Sequence, residues 1–174
     1  MVMEYTSMFE KLEINIQAAV LVSLVDLIIE DIKQSKGYPT AVEAIRKCAG
    51  WIEKKNILAD DLYDYLENIE ETGVLTYLLL EKDQDRERVW ICVGNALAYT
   101  TWAAYEFENQ KYRPETIDCV DDETIINFID NFKLAYSCPQ ILDDLLVYLC
   151  ENSNIEYNNV KRFINNRTRG GSLS

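Results

Sequence analysis

The 174-residue chain carries 30 Asp and Glu against 17 Lys and Arg, a formal charge of −13, and contains no histidine. Apolar residues make up 48%, which excludes wholesale disorder, while three prolines and six glycines disfavour a turn-rich β architecture. Without histidine there is no Ser–His or Cys–His nucleophilic pair, no imidazole zinc site and no Glu-x-x-His pair of the di-iron bundle kind.

The elements are read in chain order from apolar spacing. Residues 8–35 keep a helical period through Ile14, Ala18, Leu21, Val25, Ile28, Ile29 and Ile32, with Gly37 at the expected stop. Residues 40–55 form a second helix, opened by Pro39 and by a Thr40–Glu43 capping-box spacing. Residues 57–71 form a third, capped by Asp60 or Asp61. Leu62, Tyr65, Leu66 and Ile69 make its apolar stripe, with Asp61, Asp64, Glu67, Asn68 and Glu71 opposite. Residues 74–80 are a short apolar helical segment, and the charged run EKDQDRER (81–88) either connects to the next helix or extends it.

That next helix, about 86–109, organises the rest. Trp90, Val93, Leu97, Thr101 and Ala104 share one face; Ile91, Ala98, Trp102 and Tyr105 share another. Apolar residues on both faces imply a helix surrounded by protein, and Gly94, Ala98 and Ala104 let neighbours approach closely. A long exposed connection (109–120) with Tyr112 and Pro114 follows. Asp121, Asp122 and Glu123 then open a helix to about Tyr136, and further helices are expected at 140–150 and 155–165. The predicted fold is all-α: a single-domain bundle of six to eight helices over residues 1–166, with a disordered tail at 167–174.

Chemistry is sparse. No GxGxxG or GxxxxGK[ST] occurs. Asp60, Asp61 and Asp64, or Asp118, Asp121, Asp122 and Glu123, could hold a hard cation, but neither set follows the calcium loop D-x-[DN]-x-[DN]-G-x5-E, and caps or solvated faces account for both. Trp51, Trp90 and Trp102 are read as core. The five cysteines show no CxxC pair, which fits a reduced, cytoplasmic protein. There is no signal-peptide pattern at the start. The apolar stretch 18–29 is short and carries Asp26, so no membrane span is expected. No catalytic residue, metal or cofactor is assigned, and an enzyme, such as a cation-dependent carboxylate hydrolase, ranks last.

The charge is the strongest functional signal. Residues 57–123 hold 17 Asp and Glu against five Lys and Arg, so nearly all of the excess lies in mid-chain. Such a surface repels phosphate backbones and suits a basic protein. The candidate partner-binding face comprises Asp60, Asp61, Tyr63, Asp64, Glu67, Glu70 and Glu71, extended by Asp83, Asp85 and Glu87. A tyrosine among these carboxylates is what a hot spot for a basic partner contains.

Three segments carry a resemblance: CAGWIE (48–53), DLYDYL (61–66) and ALAYTTWAAY (96–105). In that order and spacing the chain, over about 18–132, resembles the sixth immunity-protein family of bacterial polymorphic toxin systems. The resemblance implies an all-helical cytoplasmic antidote that binds and neutralises a cognate toxin, often a nuclease. It assigns no contact residues. The alternative is a helical adaptor or regulator unrelated to toxins, and homodimerisation stays open.

Overall fold

The computed structural model describes residues 2–170 and contains ten α-helices, one 3-10 turn and, among the described residues, no strand. The central helix is α6 (Gln84–Phe107), which touches α2 (Ile14–Val25), α3 (Tyr38–Lys54), α4 (Ala59–Leu66), α5 (Val74–Leu80), α7 (Glu115–Asp118), α8 (Asp122–Ala135) and the 3-10 turn Ile29–Ile32. Trp90, Val93, Leu97, Thr101 and Ala104 are buried, as is Tyr105; Ile91, Ala98 and Trp102 on the second face are only half-buried. The run 81–88 divides at Asp83, whose carboxylate accepts from the Arg86 N–H at 2.9 Å and so starts the helix at Gln84. Within it the buried hydroxyls of Thr100 and Thr101 donate to the carbonyls of Ala96 and Leu97 at 2.8 and 2.7 Å, which satisfies both without an outside partner.

The first long helix is broken. α1 (Val2–Glu10) stops before α2, and the chain then turns through the 3-10 segment. Gln17 holds the first break: its Nε2 donates to the carbonyls of Phe9 and Leu12 at 2.8 and 2.9 Å, and its Oε1 accepts from the Tyr99 hydroxyl. The Phe9 carbonyl also accepts from the Leu12 N–H at 2.9 Å, so the Gln17 amide adds a second bond there and satisfies the Leu12 carbonyl in the turn. The apolar period conceals these breaks because Ile28, Ile29 and Ile32 are buried whether or not the helix continues.

α3 begins at Tyr38 with Gly37 as cap, and no Thr40–Glu43 box forms; Glu43 instead pairs with Arg46 at 2.6 Å. A Cβ on Gly37 would meet the ring of Tyr77 from α5, so that close approach requires glycine. α3 ends at Lys55, left-handed at φ 52°, with its ammonium 3.8 Å from the centre of the Trp51 ring. α8 has the expected acidic start, where Asp121 accepts from Glu123 N–H at 2.9 Å and Thr124 Oγ1 accepts from Asp121 N–H at 3.3 Å.

α9 (Gln140–Glu151) and α10 (Tyr157–Gly170) complete the bundle, with α10 packed on α2 and α9. α10 runs past the expected end at Asn165: residues 167–170 are helical, and Arg167 reaches Asp144 at 3.4 Å. The remainder of the tail read as disordered, 171–174, lies outside the described residues. No described helix is long and apolar enough to cross a membrane.

Candidate protein-interaction surface

α4 and α5 run antiparallel to α6 along one edge, joined to it at every level. The N–H of Ala59 donates to Glu108 Oε1 at 2.7 Å, and Tyr105 donates to the Asp60 carboxylate. Further along, a Cβ on Gly94 would lie 3.8 Å from Val74 and 3.9 Å from Leu75. Tyr77 then stacks on Trp90 with ring centres 5.7 Å apart, and Glu81 pairs with Arg86 at 3.1 Å. The edge therefore spans about 36 Å, the length of a 24-residue helix.

The expected helix over 57–71 is shorter than its pattern, because Asn68 folds the chain back. Its Nδ2 donates to the Asp64 carbonyl at 2.9 Å, and its Oδ1 accepts from the Thr72 N–H at 3.0 Å. A side-chain amide that bonds nearby backbone competes with the helix. Ile69, read as part of the apolar stripe, consequently points into solvent. Glu71 is left-handed at φ 54°, a conformation unfavourable to a side chain, and Gly73 follows. A Cβ on Gly73 would lie 2.5 Å from the Leu66 carbonyl oxygen, so this turn admits no larger residue there.

The ten candidate contact residues divide by their bonding. Asp60 accepts from Tyr105, Glu67 accepts from Tyr63 at 2.8 Å and from Thr116 at 3.2 Å, Asp83 caps α6, and Asp85 pairs with Arg88 at 2.7 Å. These groups serve the fold. Burial, and then the carboxylate of Asp60, push the Tyr105 hydroxyl well above its ordinary range; burial and Glu67 do the same, more weakly, for Tyr63. Asp61, Asp64, Glu70, Glu71 and Glu87 are exposed, and their carboxylates have no bonding partner among the described residues. Asp60 and Asp61 lie at the far end of the edge from Asp83, Asp85 and Glu87, so the set forms a strip and not a compact patch.

Asp61 and Asp64 line a cleft of about 550 Å³ between α3 and α4, with Ile57, Tyr65, Thr40 and Lys47 in its walls. Of the second acidic set, Asp118 at the end of α7 faces Arg113 at 3.7 Å, while Asp121 caps α8. Among the described residues no three Asp, Glu or Cys side chains converge as metal ligands would.

Sequence reasoning missed the apolar part of the strip. Leu58 and Phe107 are exposed at the α4 start and the α6 end, Ile69 in the middle, and Leu79 and Leu80 at the other end. The only available signal was the uncharged run of 74–80, which reads equally well as a buried segment.

The α4–α5 edge is acidic and partly apolar, and among the described residues no group of metal-ligating side chains converges. The family model "Immunity protein Imm6" matches residues 16–135, more than half of the chain, and the chain belongs to this family of immunity proteins against toxins. The match runs from α2 to the end of α8 and includes the whole α4–α5 edge. No curated protein and no solved structure matches the chain.

Proposed function

We propose that the protein neutralises a cognate bacterial toxin of the polymorphic, contact-dependent kind by binding it directly along the α4–α5 edge, and that the toxin domain is basic, as a nuclease is. The observation that carries this reading is the row of five unpaired, exposed carboxylates, Asp61, Asp64, Glu70, Glu71 and Glu87, interleaved with exposed apolar side chains. Unpaired carboxylates keep their field directed outward. They steer a basic surface into contact and offer it the negative charge that a nucleic-acid backbone otherwise supplies. On this reading the chain acts in the cytoplasm as one folded domain and makes no nucleic-acid contact of its own.

Co-expression of the protein with the C-terminal toxin domain encoded beside its gene should rescue growth, and the purified pair should form a complex. Reversal of Asp61, Asp64 and Glu67 to Lys should weaken that complex, with the Glu67 change also loosening the Tyr63 and Thr116 contacts. Absence of rescue and of binding by the unaltered protein would remove the reading for that toxin. Retained affinity in the triple variant would remove the acidic strip.

A further inference from the structure

α5 is seven consecutive uncharged residues, VLTYLLL, of which only Val74 is buried. One side of it is held by the fold: Val74 and Leu75 lie over Gly94, and Tyr77 stacks between Gly37 and Trp90. The other side faces water. Leu79 is 82% exposed, Leu80 65%, and Ile69, in the turn before the helix, 97%. Consecutive exposed leucines on a helix whose other side is held by the fold make an exposed apolar surface of the kind that marks an interaction site.

The charges around them identify the partner. Residues 69–87 contain six Asp and Glu against two Lys and Arg, and none lies within 74–80. Arg86, one of the two basic residues, is engaged by Glu81. Glu70 and Glu71 before the helix, and Glu87 after it, remain unpaired. An apolar centre with a charged, solvated border is the anatomy of a protein interface. A two-fold contact with a second copy would bring the same patch and the same carboxylates face to face, which like charge opposes. An anionic membrane surface is disfavoured for the same reason.

We infer that the Leu79–Leu80 end of α5 is the apolar anchor of the toxin interface, and that it seats in a depression on the toxin bordered by Lys and Arg. The inference rests on the immunity reading above and narrows it to one element. Leu79 and Leu80 supply contact area that can be fully desolvated, while Glu70, Glu71 and Glu87 set the orientation.

The test is binding of the full chain to the purified toxin domain encoded beside its gene, by titration calorimetry, with light scattering and thermal unfolding on each variant. Leu79→Ser and Leu80→Ser should each weaken binding roughly tenfold, and the double variant roughly a hundredfold. Leu134→Ser, on the equally exposed surface of α8, should bind as the unaltered protein does. Because Leu79 and Leu80 are exposed, all variants should unfold at nearly the same temperature. Tight binding by both the unaltered protein and the double variant would overturn the anchor and leave the immunity reading intact. No binding by the unaltered protein would overturn both. A dimer of the free protein that the double variant abolishes would assign the face to a second copy and overturn the inference.

Discussion

The hydroxyl of Tyr105, near the end of the central helix, donates to the carboxylate of Asp60 in the first turn of α4. This bond pins the start of α4 to α6 at the level where the Ala59 N–H meets Glu108. It makes two adjacent aspartates unequal: Asp60 is committed to the fold, and Asp61 is not. Asp60→Ala should cost about 1–2 kcal/mol in urea unfolding, since it leaves the Tyr105 hydroxyl without its acceptor, whereas Asp61→Ala should change stability by less than about 0.5 kcal/mol. The order should reverse for toxin affinity. Equal stability losses would contradict the assignment of Asp60 to the fold.

Gln17 is the second such commitment. It serves three partners from three places: the end of α1, the turn before α2, and Tyr99 on α6. Gln17→Met keeps the volume but strands the Leu12 carbonyl and the Tyr99 hydroxyl and removes the second bond to the Phe9 carbonyl, and should cost about 2–3 kcal/mol by chemical denaturation. Amide exchange should show α1 opening first. A loss confined to a few tenths of a kcal/mol would mean that the break between α1 and α2 is held by packing alone.

Glu71 sits at φ 54° in the turn that leads into α5, exposed and without a side-chain partner. Glycine tolerates this conformation better, so Glu71→Gly should stabilise the protein by about 0.5–1 kcal/mol. The same change should slow association with the toxin domain by removing one of the unpaired charges. A variant both more stable and undiminished in association rate would show that Glu71 plays no part in recognition.

Glu81 gives the edge a defined acid limit. Burial alone would raise its carboxyl, but the Arg86 hydrogen bonds, the backbone N–H groups of Asp83 and Lys82 and the Arg86 charge outweigh burial and hold it at about 2, against an ordinary 4.5. Its folded-state value is depressed, so its stabilising contribution is complete above 4.5 and is lost as pH falls from there toward 2. Glu81→Gln should lower stability at pH 7 and flatten the stability curve across that window. An unchanged slope between pH 4.5 and 2 would place the acid sensitivity in other carboxylates.

Much of the architecture was legible because burial repeats with the helical period. Trp90, Val93 and Leu97 announce the central helix, and Asp121, Asp122 and Glu123 mark the start of α8. What stayed hidden depends on single side chains that act across the chain. Gln17 reaches backwards to end α1, and nothing in its own neighbourhood shows that. Asn68 stops α4 early through a local amide bond that the apolar stripe overrides on paper. The strip's location was readable as charge, but its division was not: whether a carboxylate is spent on Tyr105, Tyr63 or a helix cap depends on which element packs beside it. The exposure of Leu79 and Leu80 was invisible for the opposite reason, since an uncharged run looks buried until the helices around it are placed.

The most direct test is amide hydrogen exchange of the protein with and without the toxin domain encoded beside its gene. Binding along the α4–α5 edge predicts slowed exchange concentrated in residues 59–87, with α9 and α10 unaffected. Protection centred on α8 to α10, with residues 59–87 exchanging as in the free protein, would contradict it.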